Sequence, residues 1–211
     1  MRQQRIDDLT RRDHYYLAAQ DTCYYFGEYS ARRGASFGAT NELIANLQQP
    51  VHRLGPGPDI RKERAIRQAA RMLRAAFDPE QLTAITFVPL PQGRPKDHPA
   101  YDNRIRRMLR SMADGMDVRE LLDIVSDRDS AEGSGVRQGP EVLFANMRLI
   151  PGLIAPRPET IFLVSDVLTT GAQFVAAKRH LNQALPNVPV YGLFVARKLL
   201  ETDAIPNFDG L

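Results

Sequence analysis

Ile161-Phe162-Leu163-Val164-Ser165-Asp166-Val167-Leu168-Thr169-Thr170-Gly171-Ala172-Gln173 is the stretch on which the reading of this chain turns. Ile161 to Val164 are four apolar residues in a row, which predicts a buried strand. The polar pair Ser165-Asp166 stands where that strand is expected to end, and Phe174 to Leu181 predicts a helix after the Gly171 turn. A strand that turns on glycine into a helix gathers several backbone N–H groups at one point. The first-turn amides have no intrahelical partner and the helix dipole is positive there, so the point attracts phosphate. The hydroxyls of Thr169 and Thr170 add donors, and Asp166 stands just before the turn, placed to hold sugar hydroxyls or to sit near a metal.

The 211 residues suit one domain with an added subdomain, and 43% apolar with 25% charged residues is ordinary for a globular protein. The single cysteine, Cys23, excludes an internal disulfide and a cysteine zinc site, and reads as a buried small apolar residue. The N-terminus lacks the apolar run of a signal peptide and no stretch is long and apolar enough to span a membrane, so a cytoplasmic protein is expected. Lys and Arg exceed Asp and Glu by little, 28 against 25. Arg far outnumbers Lys, and a guanidinium binds phosphate bidentately.

Working outward, Leu82 to Leu90 predicts a strand, followed by the polar loop Pro91 to Pro99 and a helix from Ala100 to Asp114. Leu121 to Val125 reads either as a helix end or as a short strand, and Ser126 to Pro140 as a long Gly/Ser-rich loop of the kind that forms lids. Pro151 to Pro158 is an irregular joint, the motif helix runs to Ala184, and Asn187 to Ala196 predicts a last buried strand. Upstream, Tyr15, Tyr16, Tyr24, Tyr25, Phe26 and Tyr29 form an aromatic cluster, and Thr40 is placed to cap a helix from Asn41 to Gln48. Gly55 to Asp59 marks a loop. Ile60 to Phe77 is an amphipathic helix whose other face carries Arg61, Lys62, Arg64, Arg67, Arg71 and Arg74. That row, 61–74, is a solvated face or a surface for a protein or DNA partner. The alternation of strand and helix predicts an α/β protein with a parallel sheet covered on both faces and ligands beyond the carboxyl ends of the strands. Residues 1–80 read as a mostly helical accessory or hood region, and residues 81–211 as the α/β core.

The stretch 161–173 resembles the phosphoribosyl diphosphate signature of the type I phosphoribosyltransferases: four apolar residues, two acids, two apolar residues, a Thr/Ser pair, glycine and a small residue. Ser165 replaces the first acid, and Gln173 stands where many members have threonine. Within that superfamily the chain is most similar to the ComF type, through Val88-Pro89-Leu90-Pro91, then Arg94 and Lys96, then Tyr101-Asp102-Asn103-Arg104, and through Arg128, Gln138 and Asn146. The likeness runs loosely from Thr83 to Arg197, and the zinc-binding cysteines of many ComF proteins are absent.

The resemblance implies a Rossmann-like parallel sheet and a loop in which Ser165, Asp166, Leu168, Thr169, Thr170, Gly171, Ala172 and Gln173 surround a ribose 5-phosphate, with Asp166 on the ribose hydroxyls. It implies Mg²⁺, with phosphoribosyl diphosphate as the ligand and displacement of diphosphate from the anomeric carbon by a nitrogen nucleophile. Gln92, Gly93, Arg94 and Lys96 would face the diphosphate, and Arg128 and Arg137 of the lid would stabilise its departing charge. A homodimer is common in the superfamily, and a DNA-linked partner is conceivable for a ComF-like protein. Three functions remain open at this point: an active transferase, a ligand-sensing or interaction module with reduced catalysis, and an accessory subunit in which the turn is an ordinary βα connection. His98 and His180 read as surface or packing residues, having no metal-ligand partner at useful spacing.

Overall fold

The computed structural model describes residues 2–50, 59–127 and 138–200. Its strands are β1 (Gln4–Arg5), β2 (Cys23–Tyr29), β3 (Thr86–Pro89), β4 (Asp117–Val118), β5 (Leu122–Ile124), β6 (Met147–Leu149), β7 (Ile161–Leu168) and β8 (Val190–Lys198). Its helices are α1 (Ala39–Leu47), α2 (Ile60–Arg74), α3 (Pro79–Ala84), α4 (Arg104–Arg110), α5 (Pro140–Ala145) and α6 (Ala172–Ala184). Six strands form one sheet in the order β1-β2-β8-β7-β3-β4, and β5 and β6 form a separate antiparallel pair. Only β1 runs antiparallel within the large sheet. This is an α/β architecture, a mostly parallel sheet flanked by helices, compatible with a Rossmann-like fold.

The periodicities explain the layers. β7 is apolar on both sides because both its faces are covered. On one face Leu43, Ile44 and Leu47 of α1, Ile66, Ala69, Ala70 and Leu73 of α2 and Ile105, Met108 and Leu109 of α4 pack against Phe87, Phe162 and Val164. Phe77 sets its ring edge-on against both Phe87 and Phe162 there. On the other face Phe174, Ala176, Ala177 and Leu181 of α6 pack against Val88, Leu163 and Phe194.

Several elements differ from the sequence expectation. Among the described residues of the first eighty, helices α1 and α2 are joined by strands β1 and β2, which belong to the large sheet. The aromatic cluster supplies β2, which pairs in parallel with β8 from Cys23↔Gly192 to Tyr29↔Lys198. Tyr25 and Phe26 are successive and both buried, one in the core on each face of the sheet, as a pleated strand covered on both sides requires. Cys23 is fully buried, and burial pushes its thiol pKa up, which fits a packing residue rather than a nucleophile. Leu82 and Thr83 belong to α3, which Pro79 opens and where Asp78 N donates to Gln81 Oε1 at 3.0 Å; the strand begins only at Thr86. The helix expected over 100–114 is confined to Arg104–Arg110, because Ser111 N already bonds back to Met108 O and Gly115 takes a positive φ of 75°. β8 starts at Val190, after Asn187 turns the chain at φ 66°. Leu121 to Val125 resolves as strand, β5. β6, unforeseen, pairs with it.

Thr40 does not cap α1. Its side chain lies against the β2 backbone, where a Cβ on Gly27 would meet Thr40 Oγ1 at 2.6 Å. The next residue, Asn41, is 2% exposed and ties α1 to the loop after β2: its Nδ2 donates to Ser30 O and Gly34 O, and its Oδ1 accepts from Ser30 N at 3.1 Å. Replacing it by alanine strands buried backbone groups, a cost on the order of 1–3 kcal/mol. Urea denaturation of Asn41→Ala is expected to show that loss with an unchanged m-value, and wild-type stability would contradict it.

Candidate functional site

β3 and β7 are neighbours in register from Thr86↔Ile161 to Pro89↔Val164, yet the chain leaves them in opposite directions. From β3 it passes through α4 on one face to β4; from β7 it passes through α6 on the other face to β8. The two helices diverge and a crevice opens outside the carboxyl ends of the strands, the position where open α/β sheets bind ligands. The loops after Pro89 and Leu168 line it, and Gln173 Nε2 donates to Pro91 O across it.

The turn itself has the geometry its sequence requires. Gly171 has φ 86°, a left-handed conformation that glycine adopts without strain, and α6 starts at the next residue and runs for 13 residues. By helix geometry the amides of Ala172, Gln173 and Phe174 lack intrahelical acceptors. Ala172 N lies 3.4 Å from Thr170 Oγ1. Thr169 is exposed, whereas Thr170, Gly171 and Ala172 are buried.

That burial comes from the N-terminal segment, which sequence reasoning did not connect to the turn. A short 3₁₀ helix, Thr10–His14, and the residues after it pack on Thr169 to Gly171. His14 Nδ1–H donates to the Thr169 carbonyl, Tyr16 N donates to Thr170 O at 3.1 Å, and a Cβ on Gly171 would meet the Leu17 side chain at 2.8 Å. Among the described residues, His14 Nε2 is buried without a hydrogen-bond partner. The segment is anchored by Asp13 on Arg197 at the end of β8, which also pairs with Glu28 of β2.

The motif acid is turned inward. β7 continues two residues past Asp166, so the side chain sits within the sheet and points to the α1/α4 face, 4% exposed. Its Oδ2 accepts from Arg104 Nε at 3.1 Å, Arg104 Nη2 at 2.7 Å and Gln48 Nε2 at 2.9 Å. Its Oδ1 accepts from Val167 N at 2.9 Å and Ser165 Oγ at 3.1 Å. Burial pushes the carboxyl pKa up, but the Arg104 charge and the donated hydrogen bonds outweigh it and hold the group below the usual carboxylate range. The network extends: Arg104 Nη1 and Lys62 Nζ both reach Asp102 Oδ2, at 2.8 and 2.7 Å. Lys62 is therefore not part of the solvated row on α2, of which Arg61, Arg64, Arg67 and Arg71 are exposed.

The loop after β3 divides. Gly93 takes φ 39°, Gln92 Nε2 donates back to Leu90 O at 2.9 Å, and Arg94 is exposed beside His98. Lys96 points away to Glu120, donating to its carbonyl at 3.2 Å. Glu120 also accepts from Tyr101 Oη at 3.2 Å, and burial, followed by that acid, pushes the Tyr101 pKa up. Leu168 packs in the core under α6, so its side chain is structural. His180 stacks on Phe144 and reaches Phe144 O at 3.0 Å, and His98 Nδ1 accepts from Ala100 N. Arg128 and Arg137, with most of the expected lid, lie outside the described residues. The structure thus sets the 169–173 turn and the loop after β3, which carries Gln92, Gly93 and Arg94, at neighbouring strand ends joined by Gln173 on Pro91, and it bonds His14 to Thr169 and Gln48 and Arg104 to Asp166, three residues for which the sequence offered no role.

Compared with protein-family models and with curated proteins, the sequence matches none. Among the described residues no helix is long and apolar enough to cross a membrane, and no cluster of three His, Cys, Asp or Glu side chains is placed to hold a metal.

The His14 contact has a pH signature. Burial lowers the ring's pKa from 6.5, opposed by the Thr169 carbonyl and reinforced by the Arg197 charge. The unfolded chain then takes up the proton first, so stability falls as pH drops below about 6.5. The melting temperature is expected to fall between pH 7 and pH 5 in the wild type and to fall less in His14→Asn. Equal slopes would contradict the assignment.

Proposed function

We propose that this chain is a phosphoribosyltransferase-like protein that binds the 5′-phosphate of a ribose phosphate at the turn after β7. The observation that carries the reading is the coincidence of two independent features: a Thr-Thr-Gly turn, Gly171 at φ 86°, opening a long helix, and its position at the switch point between β3 and β7. The amides of Ala172 and Gln173 would face the phosphate oxygens with the positive end of the α6 dipole behind them. Thr169, exposed at the same place, would add a hydroxyl, and Arg94, exposed on the loop after β3, with the Gln92-Gly93 backbone would face the ligand from the neighbouring strand end.

One observation favours ligand binding over transfer of a phosphoribosyl group. Ribose hydroxyls would need Asp166, and both its oxygens are engaged by Arg104, Gln48, Val167 and Ser165. Ser165 replaces the first acid of the motif and supplies no charge. A module that reports on a ribose phosphate, with catalysis reduced, fits this arrangement better than an active transferase. Turnover would be detected as diphosphate release from phosphoribosyl diphosphate across a panel of bases and amines, and its absence is expected.

Calorimetry with ribose 5-phosphate tests the binding. Wild type is expected to bind, inorganic phosphate to compete, and ribose to show no heat. Gly171→Ala forces a side chain against Leu17 and into a left-handed conformation. It should weaken binding at least tenfold with the far-UV circular dichroism retained, while Arg64→Ala on the exposed face of α2 should bind as wild type. Wild-type affinity in Gly171→Ala would remove the turn from the site.

A further inference from the structure

Resting on the ribose phosphate reading above, we propose that this site takes its ligand without a divalent cation on the protein, because Arg104 occupies the carboxylate that would hold one. The Mg²⁺ implied by the resemblance does not fit the donor set. The stretch 161–173 offers a cation one carboxylate, Asp166, and that carboxylate is already saturated: three donated hydrogen bonds on Oδ2 and two on Oδ1 use up the lone-pair directions a carboxylate offers. The nearest further carboxylate, Asp102, is no more available. Its Oδ1 accepts from Arg104 N at 3.0 Å, and its Oδ2 from Lys62 and from Arg104.

Charge makes the same point. Two acids, the buried Asp166 and the partly buried Asp102, face two bases, the buried Lys62 and the partly buried Arg104, so the network is neutral as it stands. Mg²⁺ demands oxygen ligands in a near-ideal octahedron. To reach Asp166 it would have to expel a guanidinium whose side chain is 12% exposed and which bridges both acids. Expulsion would leave that guanidinium, or Lys62, without its partners in a buried place. Arg104 stands on the first turn of α4 and occupies the carboxylate that a metal would need.

Two measurements test this, and they fail separately from the binding reading. The first is the dissociation constant of ribose 5-phosphate in EDTA and in excess Mg²⁺. Values within twofold of each other are expected, and a gain of tenfold or more with Mg²⁺ would overturn the proposal while leaving the ribose phosphate site intact. Absence of binding in both media would overturn the site itself, and the cation proposal with it. The second needs no ligand. The melting temperature of wild type is expected to be unchanged by Mg²⁺, whereas Arg104→Gln, with Asp166 uncovered, should melt lower and be raised again by Mg²⁺. Should Arg104→Gln fail to fold, its failure shows the guanidinium to be the required counter-charge, and the double variant Arg104→Gln/Asp166→Asn is then expected to fold and to ignore Mg²⁺. A wild-type melting temperature raised by Mg²⁺ as much as the variant's would contradict the proposal, since Asp166 would then already be open to the cation.

Discussion

The strand Ile161–Leu168 is held by parallel ladders on both edges, from β3 and from β8, and it is covered by helices on both faces. A charged side chain within such a strand has no water to face, and an isolated carboxylate there would neutralise rather than remain charged. Asp166 remains a carboxylate because Arg104 and Gln48 converge on it, and the rest of the Arg104 fork is taken by Asp102, which Lys62 also pairs. The positions of α1, α2 and α4 relative to the sheet are therefore coupled through one buried charge network as well as through apolar packing. The same strand, by carrying its connection to the opposite face from that of β3, opens the crevice in which the turn lies.

The N-terminal segment makes the second tie. Its contacts are made to the carbonyl side of the turn, through His14 on Thr169 and Tyr16 on Thr170. Leu17 packs where a side chain on residue 171 would stand, so the glycine is required twice, for its φ and for its lack of a Cβ. Arg197 fastens this segment to the end of β8, and β2 carries it into the sheet.

Much of this was legible in the sequence, because the features concerned are local. The strand and helix around Gly171 follow from apolar runs and one glycine, and the alternation of elements was enough to anticipate a parallel sheet. What escaped the sequence depends on long-range partners. Tyr24 to Tyr29 is aromatic enough for a strand or a buried helix, and only pairing with β8, far along the chain, decides between them. Asp166 looked like a ligand residue because nothing local reveals that an arginine 62 residues earlier reaches it. Lys62 sat in a row of arginines with the same periodicity, yet the helix turns it toward Asp102. Lys96 resembled a phosphate ligand until Glu120 was placed beside it. A charge pattern gives the residue types available at a site, and the fold then decides which of them are already paired.

The most direct test of the central claim is a crystal structure of the chain with ribose 5-phosphate. The account predicts phosphate density within hydrogen-bond distance of the Ala172 and Gln173 amides, with Arg104 still seated on Asp166. Phosphate density elsewhere, with the turn empty at saturating ligand, would contradict it.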